Sequence, residues 1–505
     1  MIDVLLINPG NQPALYQGLS AEFTAKEPPL WCRLIASYLV RRNVTAEIID
    51  QENLGLSNQQ VLAEVVARQP SLVVIVVHGH QPSASTQKMQ ATIELCQCLA
   101  RGSSYPNLIV GGRAAALPAQ TMRETGADFV CTGEGPVTVI KLLECLRAKG
   151  RVDDVPGLEF FISSREEDGQ VEFVSKSTPP APNVWDLQEM PGGGWDLLDM
   201  SVYRAHNWHC LQESSRAPYA SIYTSLGCSF SCKFCNIQNP FRVGDALRFM
   251  GKANSYRMWP PEMVADEVQY LYDGYGVTNI KIADEMYVLN RAHVLGISDA
   301  LIKRGLGDKL NFWVYARVDT LNDMELLERM RAGGVKWVCV GIESMSEYVR
   351  DGINKNDYTT EDILKACGRL KAAGINLIAN FMFGLPDDTL ESMEQTFRFS
   401  QELKPEWWNG YAVVAYPGTA LHREVVANGW ELPTSWDGYS HHAKGYLPLR
   451  TKYITAQEVL GFRDRAFQRF FRNPDFLKRT EAKFGAAACQ GVIDMVSVKL
   501  ERDNG

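Results

Sequence analysis

The chain has 505 residues, 46 % of them hydrophobic, and a formal net charge of −8. That length allows roughly three domains with substantial cores, and the lack of any long basic run argues against a nucleic-acid scaffold. The longest apolar run, "LVVIVV", is far shorter than the roughly 18 residues a membrane span needs, and the start "MIDVLLINPG" lacks a signal-peptide pattern, so the expectation is a soluble cytoplasmic protein with no membrane partner.

Residues 1–150 alternate strand and helix signals. "VLLINP" (4–9), "TAEIID" (45–50), "LVVIVV" (72–77), "NLIVGG" (107–112) and "DFVCTGEG" (128–135) read as short strands, and "LIASYLVRRN" (34–43) as a helix. Continuous rather than alternating apolar runs mean strands buried on both faces, which predicts an α/β domain with a doubly wound parallel sheet, Rossmann-like in layout. Such sheets bind ligands at the carboxyl ends of their strands. Asn8, Pro9, His78, Gly79, His80, Gly111, Gly112, Gly133, Glu134 and Gly135 fall there, and the glycines would let a bulky ligand approach the backbone. No G-x-G-x-x-G opens a helix after the first strand, so a dinucleotide is a weak reading.

Residues 151–215, punctuated by "STPPAPN" and "MPGGGWD", read as a connector holding a small strand pair. Over 216–420 the strand–helix rhythm returns, with strands expected at 221–226, 277–283, 311–316, 336–343, 376–383 and 409–415. Six βα units predict a partial (β/α)6 barrel of the TIM type, with chemistry on the loops that follow the strands. The remainder, 421–505, reads as a helical C-terminal region. Before its helices lies "WDGYSHHAKGY", where Trp436, Tyr439, His441, His442 and Lys444 either line the barrel mouth or simply pack and face solvent.

Twelve cysteines in so long a chain do not suggest a disulfide framework. Cys32, Cys96, Cys98, Cys131, Cys145, Cys210, Cys339, Cys367 and Cys489 are scattered and read as small core residues. Cys96 and Cys98 lie two apart in a helical pattern and so point to different faces. The stretch "CSFSCKFC" is different, because it sets Cys228, Cys232 and Cys235 at ligand spacing directly after a strand. Three thiolates suit a structural zinc only if a fourth ligand, Cys210 or His209, completes it. They also suit a [4Fe-4S] cubane with one iron left open, where an amine and a carboxylate can chelate.

The C-x3-C-x2-C spacing, with Phe234 before the third cysteine, resembles the radical S-adenosylmethionine (SAM) superfamily. The resemblance implies that SAM binds the open iron and is cleaved to a 5′-deoxyadenosyl radical that abstracts hydrogen from carbon, with the electron supplied by a donor such as flavodoxin or ferredoxin. It also implies that Phe234 shields the cluster or stacks near adenine. In "IKIADEMYVLN", Asp284 and Glu285 match positions near the methionine amine. "VYARVDTL" places Arg317 and Asp319 after the third strand, and "VCVGIESMS" places Glu343 and Ser344 after the fourth as SAM contacts. "FMFGLPDDT" and "AYPGTAL" are similar to family segments as well. For each acidic residue the competing reading is an ordinary cap at a strand end.

Taken with "EPPLWCRLIASYL", "LIVGGRAAALP", "GADFVCTGEGP" and "GGGWDLLDMSVYR", the chain resembles the cobalamin-binding branch of that superfamily over residues 1–420. A corrinoid would then lie at the carboxyl edge of the first sheet, facing the barrel. The D-x-H-x-x-G motif is absent, which leaves the lower face of cobalt open, and His78 or His80 is expected beside the corrinoid without necessarily ligating it. The activity implied is methylation of an unactivated carbon of a small molecule. A cobalamin-dependent oxidative cyclase or rearrangement enzyme is the alternative, and a non-enzymatic sensor a third reading.

Overall fold

The computed structural model describes residues 2–79, 82–167, 170–213, 215–237, 239–241 and 256–503. Two sheets carry the fold. The first contains β1 (Val4–Asn8), β2 (Ala46–Asp50), β3 (Leu72–Val76), β4 (Asn107–Val110), β5 (Phe129–Cys131), β6 (Leu158–Glu167) and β7 (Gln170–Ser177), in the order 2-1-3-4-5-6-7. Strands 1 to 5 are parallel, and β1 and β3 are buried along their whole length, as their unbroken apolar runs require. The 2-1-3-4-5 order reverses direction between β1 and β3, and that switch point is where such sheets open a ligand crevice. Asn8 and His78 lie at the carboxyl ends of those two strands.

The strand pair expected in the connector is present, but β6 and β7 join the first sheet antiparallel to β5 and extend it. Strands 4 and 5 also end sooner than the sequence pattern suggests, because Gly112 already starts the helix Gly112–Ala116 and the chain turns at Gly133–Gly135.

The second sheet holds β8 (Tyr219–Ile222), β11 (Asn279–Ile282), β12 (Asn311–Arg317), β13 (Val335–Glu343), β14 (Asn376–Phe383) and β15 (Trp407–Ala412), six parallel strands in sequence order that leave the barrel open. The first expected strand is broken: β9 (Ser225–Leu226) leaves the barrel and pairs with β10 (Arg257–Met258). Amphipathic helices cover the outside, where Trp408 packs on Phe470 and Phe383 on Phe462. The connector closes the amino-terminal end of the barrel, with Trp208 against Trp313 at 5.1 Å between ring centres and Trp337 at 6.0 Å. The helices Ala456–Phe471, Pro474–Phe484 and Ala486–Ser497 complete the C-terminal region. Among the described residues no helix is long and apolar enough to cross a membrane.

Candidate functional site

The cysteine loop begins two residues after β9 and is clasped to the barrel rim by its own backbone. Lys233 N–H donates to Ile353 O at 3.1 Å, and Leu421 N–H donates to Lys233 O at 2.9 Å. Phe234 packs into a small apolar cluster with Val349, Ile353, Leu385 and Val413, which anchors the loop. Cys228 is buried and Cys232 and Cys235 are partly so; none forms a disulfide. Burial pushes the Cys228 thiol up to about 11 and raises Cys232 and Cys235 as well, while Lys355 and Arg317 pull Cys232 the other way. Metal binding must therefore remove protons from these thiols.

Arg317, the last residue of β12, reaches this loop. Its guanidinium lies 3.7 Å from Cys232 Sγ and 3.7 Å from the centre of the Phe230 ring. It also donates to Asp319 Oδ1 at 2.9 Å and to Asp357. At the other end of the same strand, His209 Nε2 bonds Asn311 O at 2.8 Å. Seven strand residues, about 20 Å, separate the two ends. His209 and the adjoining Cys210 thus sit at the closed end of the barrel, which overturns them as a fourth ligand to the cysteines. Among the described residues no group of three or more His, Cys, Asp or Glu is gathered closely enough to hold a single metal ion. A cubane asks something else of its ligands, one soft thiolate for each of three separate irons, and the loop carries that donor set.

Glu343 ends β13 with φ +63, a left-handed conformation that side-chain-bearing residues rarely adopt, at a point where the register with β14 slips. The slip turns its carboxylate inward, where it forms a buried ion pair with Lys355. Burial alone would lower the Lys355 ammonium, but Glu343 outweighs it and keeps the lysine charged. Nothing in the sequence singles out Lys355. Ser344 serves the backbone instead. Its Oγ lies 3.2 Å from Thr396 Oγ1 and accepts from Ser346 N–H, fixing the turn that follows.

Asp284 and Glu285 are adjacent but unlike. Asp284 accepts from Thr224 N–H at 2.6 Å and from Ser225 Oγ at 2.6 Å, so it clamps the break between β8 and β9. Burial raises it to about 6. Both Glu285 oxygens are buried and have no side-chain partner among the described residues; only the backbone N–H groups of Glu285 and Gly227 approach them. Burial, with Asp284 adding to it, pushes this carboxyl up to about 8. A buried acid with no side-chain partner beside the cysteine loop fits a cationic ligand group.

Across the mouth, the first sheet presents its carboxyl edge. Asn8 is held by Lys88 Nζ at 2.6 Å and donates to Asp50 Oδ1 at 2.8 Å, and Lys88 also pairs with Glu52. Pro9 and Gly79 are buried beside this network. An added Cβ at Gly111 would stand 2.6 Å from the Val77 carbonyl carbon, so this glycine allows strand contact rather than ligand contact. Gly112 is buried at the start of its short helix. Gly135, with φ +117, would meet Val110 if substituted. Gly133 is buried, yet an added Cβ there would meet no heavy atom within 4 Å, so its face borders open space. Glu134 forms a buried ion pair with Arg257 of β10 at 2.7 Å and accepts from Val184 N–H.

His78 stacks on Trp31 at 4.3 Å between ring centres, and both its nitrogens are buried without a hydrogen-bond partner among the described residues. Burial pushes it down to about 3, with Lys88 adding to the effect, so the imidazole is neutral at physiological pH. A neutral, unpartnered imidazole at the switch point, with open space at Gly133, fits a bulky polar-edged group such as a corrinoid. His80 lies outside the described residues. If His78 contacts the corrinoid without ligating cobalt, the cob(II)alamin paramagnetic resonance spectrum carries no nitrogen splitting that His78→Ala abolishes, while cobalamin loading falls. Unchanged loading would remove His78 from the site.

In the irregular C-terminal segment, Trp436 Nε1 donates to Glu124, and Lys444 pairs with Glu501 and Asp503 at the surface. Tyr439 lies 5.8 Å from Trp436, and His442 lies 5.3 Å from Tyr16. His441 instead reaches Tyr411 of β15, 5.2 Å away.

The two sheets correspond to two family models. Residues 16–143 match the B12 binding domain and residues 222–400 match the radical SAM superfamily. An uncharacterized methyltransferase of Pyrococcus horikoshii is 27 % identical over 482 residues, covering 94 % of each chain. The anaerobic magnesium-protoporphyrin IX monomethyl ester cyclase of Cereibacter sphaeroides is 25 % identical over 417 residues, 81 % of this chain and 62 % of its own. The structure of the radical SAM methyltransferase TsrM from Kitasatospora setae shares the fold, with a TM-score of 0.67 at 17 % identity over 98 % of both chains. A B12-binding domain followed by a radical SAM barrel, with the cysteine triplet at the mouth between them, makes this chain a member of the cobalamin-dependent branch of the radical SAM superfamily.

Proposed function

We propose that the protein transfers a methyl group to an unactivated carbon of a small molecule, using a [4Fe-4S] cluster on Cys228, Cys232 and Cys235, SAM and cobalamin. The observation that carries this reading is the cysteine loop, set between Arg317, Glu343–Lys355 and the carboxyl edge of the first sheet. When bound, the cluster and SAM supply hydrogen abstraction and the corrinoid supplies the methyl group; alignment and exclusion of water fall to the protein. In this reading Glu343 and Lys355 offer the SAM amino-acid end opposite charges, and Arg317 steadies the charge of the Cys232 thiolate. Phe234 acts through the loop it anchors, Asp284 and Ser344 hold the turns that frame the site, and the glycines and His78 border the corrinoid. The division into a cobalamin-binding domain (1–150), connector (151–215), barrel (216–420) and helical region (421–505) is part of the same proposal, as is a low-potential electron donor.

Transfer of deuterated methyl from SAM to a substrate, alongside deoxyadenosine formation, tests it. Deoxyadenosine with an oxidised, unmethylated product would favour the second reading, cyclisation, which the relatives named as ester cyclases support.

Glu285 provides a further test. Protonated, it cannot offset the positive charge of the SAM sulfonium, so binding the cation favours release of its proton. SAM affinity is therefore expected to rise with pH up to about 8 and then level. Glu285→Gln should flatten that dependence; an unaltered slope, measured by equilibrium binding, would sink the assignment.

A further inference from the structure

The closed end of the barrel, opposite the cysteine loop, carries a cavity of about 390 Å³. It lies where β13, β14 and β15 begin. Lys336 is the second residue of β13, Asn376 is the first of β14, and Glu406 directly precedes β15. Two barrel helices, Met324–Ala332 and Thr360–Ala372, contribute Arg331 and Lys371, and the helix Pro474–Phe484 of the C-terminal region contributes Lys483. Glu343, at the far end of β13, is seven residues from Lys336, about 23 Å along a strand, so the cavity is separate from the candidate site.

Four cations thus border one space, and acids balance only two of them. Lys336 pairs with Glu213 at 3.2 Å and Lys483 with Glu406 at 2.8 Å. Arg331 Nε donates to Gly374 O at 3.1 Å and Lys371 Nζ donates to Leu403 O at 2.7 Å, and neither has a carboxylate partner among the described residues. A carbonyl occupies one N–H and cancels no charge, so both side chains keep donors to spare. Four cations against Glu213 and Glu406 leave two positive charges in excess. A cleft lined by one sign of charge concentrates its field and draws in counter-ions. A neutral group points the same way. Asn376 lines the cavity and is only 6 % exposed, yet its side-chain amide forms no hydrogen bond among the described residues. A buried amide without a partner is costly, and a ligand in the cavity would supply one.

We infer that this cavity binds a small oxyanion carrying two negative charges, a phosphate or a dicarboxylate. Its oxygens accept from Arg331, Lys371 and the Asn376 amide, and its charge cancels the excess. The walls come from the barrel and from the C-terminal helix, with Gln212 of the connector at the edge, so the ligand joins three stretches far apart in the chain. A ligand that needs all three together binds the folded protein alone and stabilises it. The site uses neither cluster nor corrinoid, and the inference stands whether or not the proposed reaction does.

The probes are inorganic phosphate and succinate, both dianions in mildly alkaline buffer. Each is titrated into the cluster- and cobalamin-loaded protein at an ionic strength held constant with chloride, and followed by calorimetry and by the thermal midpoint. The expected result is saturable, millimolar or tighter binding of at least one, with the midpoint raised by about 1–3 °C at saturation. Tighter phosphate binding assigns the site to phosphoryl ligands, and tighter succinate binding to dicarboxylates. Lys371→Met and Arg331→Gln should each weaken binding about tenfold, as for one lost charge-assisted hydrogen bond. Asn376→Ala should weaken it less. Lys371→Arg, which keeps the charge, should retain binding and so separates recognition from a damaged fold. No saturable binding of either dianion, a midpoint that chloride raises equally, or undiminished binding by the Arg331→Gln and Lys371→Met double variant would each overturn the inference.

Discussion

Replacing Cys228, Cys232 and Cys235 together by alanine is expected to abolish the four-iron cluster and all deoxyadenosine formation, while the protein stays folded. The loop's clasp does not depend on the thiols: it consists of the backbone bonds at Lys233 and the packing of Phe234 among Val349, Ile353 and Leu385. The thiols themselves are poor ligands until deprotonated, since burial raises all three. A cationic cluster core supplies the charge that makes thiolates favourable there, and alanine leaves it nothing to bind. The measurement is the visible absorbance of anaerobically prepared protein together with the paramagnetic spectrum after reduction. A cluster that survives the triple substitution would reject the assignment, and one equivalent of zinc in its place would point to a structural site. Arg317→Met is a milder companion, with the cluster retained and reduction harder, because the cation beside Cys232 is gone.

The cysteine triplet is legible in the sequence because its information is local: three ligands, their spacing and the preceding strand lie within a few residues. The strands are legible for a related reason, since continuous runs such as Leu72–Val76 signal burial on both faces without any knowledge of partners. What escapes the sequence depends on distant residues. Asp284 and Glu285 look equivalent there, and only the fold brings Thr224 and Ser225 back onto one of them. Lys355 lies in a loop with no periodicity, and its pairing with Glu343 depends on the register slip in β13. Gly111 and Gly133 look alike in sequence, although one permits strand contact and the other borders open space. Glu134 stands where the sequence pattern points to a ligand contact, but its partner Arg257 is 123 residues away.

That pair sets up the second large effect. Glu134 and Arg257 are both almost fully buried and form a two-pronged contact, Nη2 to Oε1 at 2.7 Å and Nη1 to Oε2 at 3.2 Å. Glu134 follows β5 of the first sheet, and Arg257 belongs to the β9–β10 hairpin from which the cysteine loop departs. The contact therefore ties the corrinoid-side sheet to the cluster-side loop. Removing one partner leaves a buried charge uncompensated, at a cost of about 3–5 kcal/mol, whereas removing both can be nearly neutral. Glu134→Met and Arg257→Met should each lower the thermal midpoint sharply, and the double variant should recover part of that loss, the remainder reflecting the Val184 N–H and C=O that lose their partners. Stability and alignment then separate: the recovered double variant is expected to bind cobalamin and hold its cluster, yet to lose methyl transfer while still cleaving SAM, because the clamp that keeps the two halves in register is gone. Single variants no less stable than the double would show that the pair does not act as a buried clamp. A double variant with full methyl transfer would show that it plays no part in alignment.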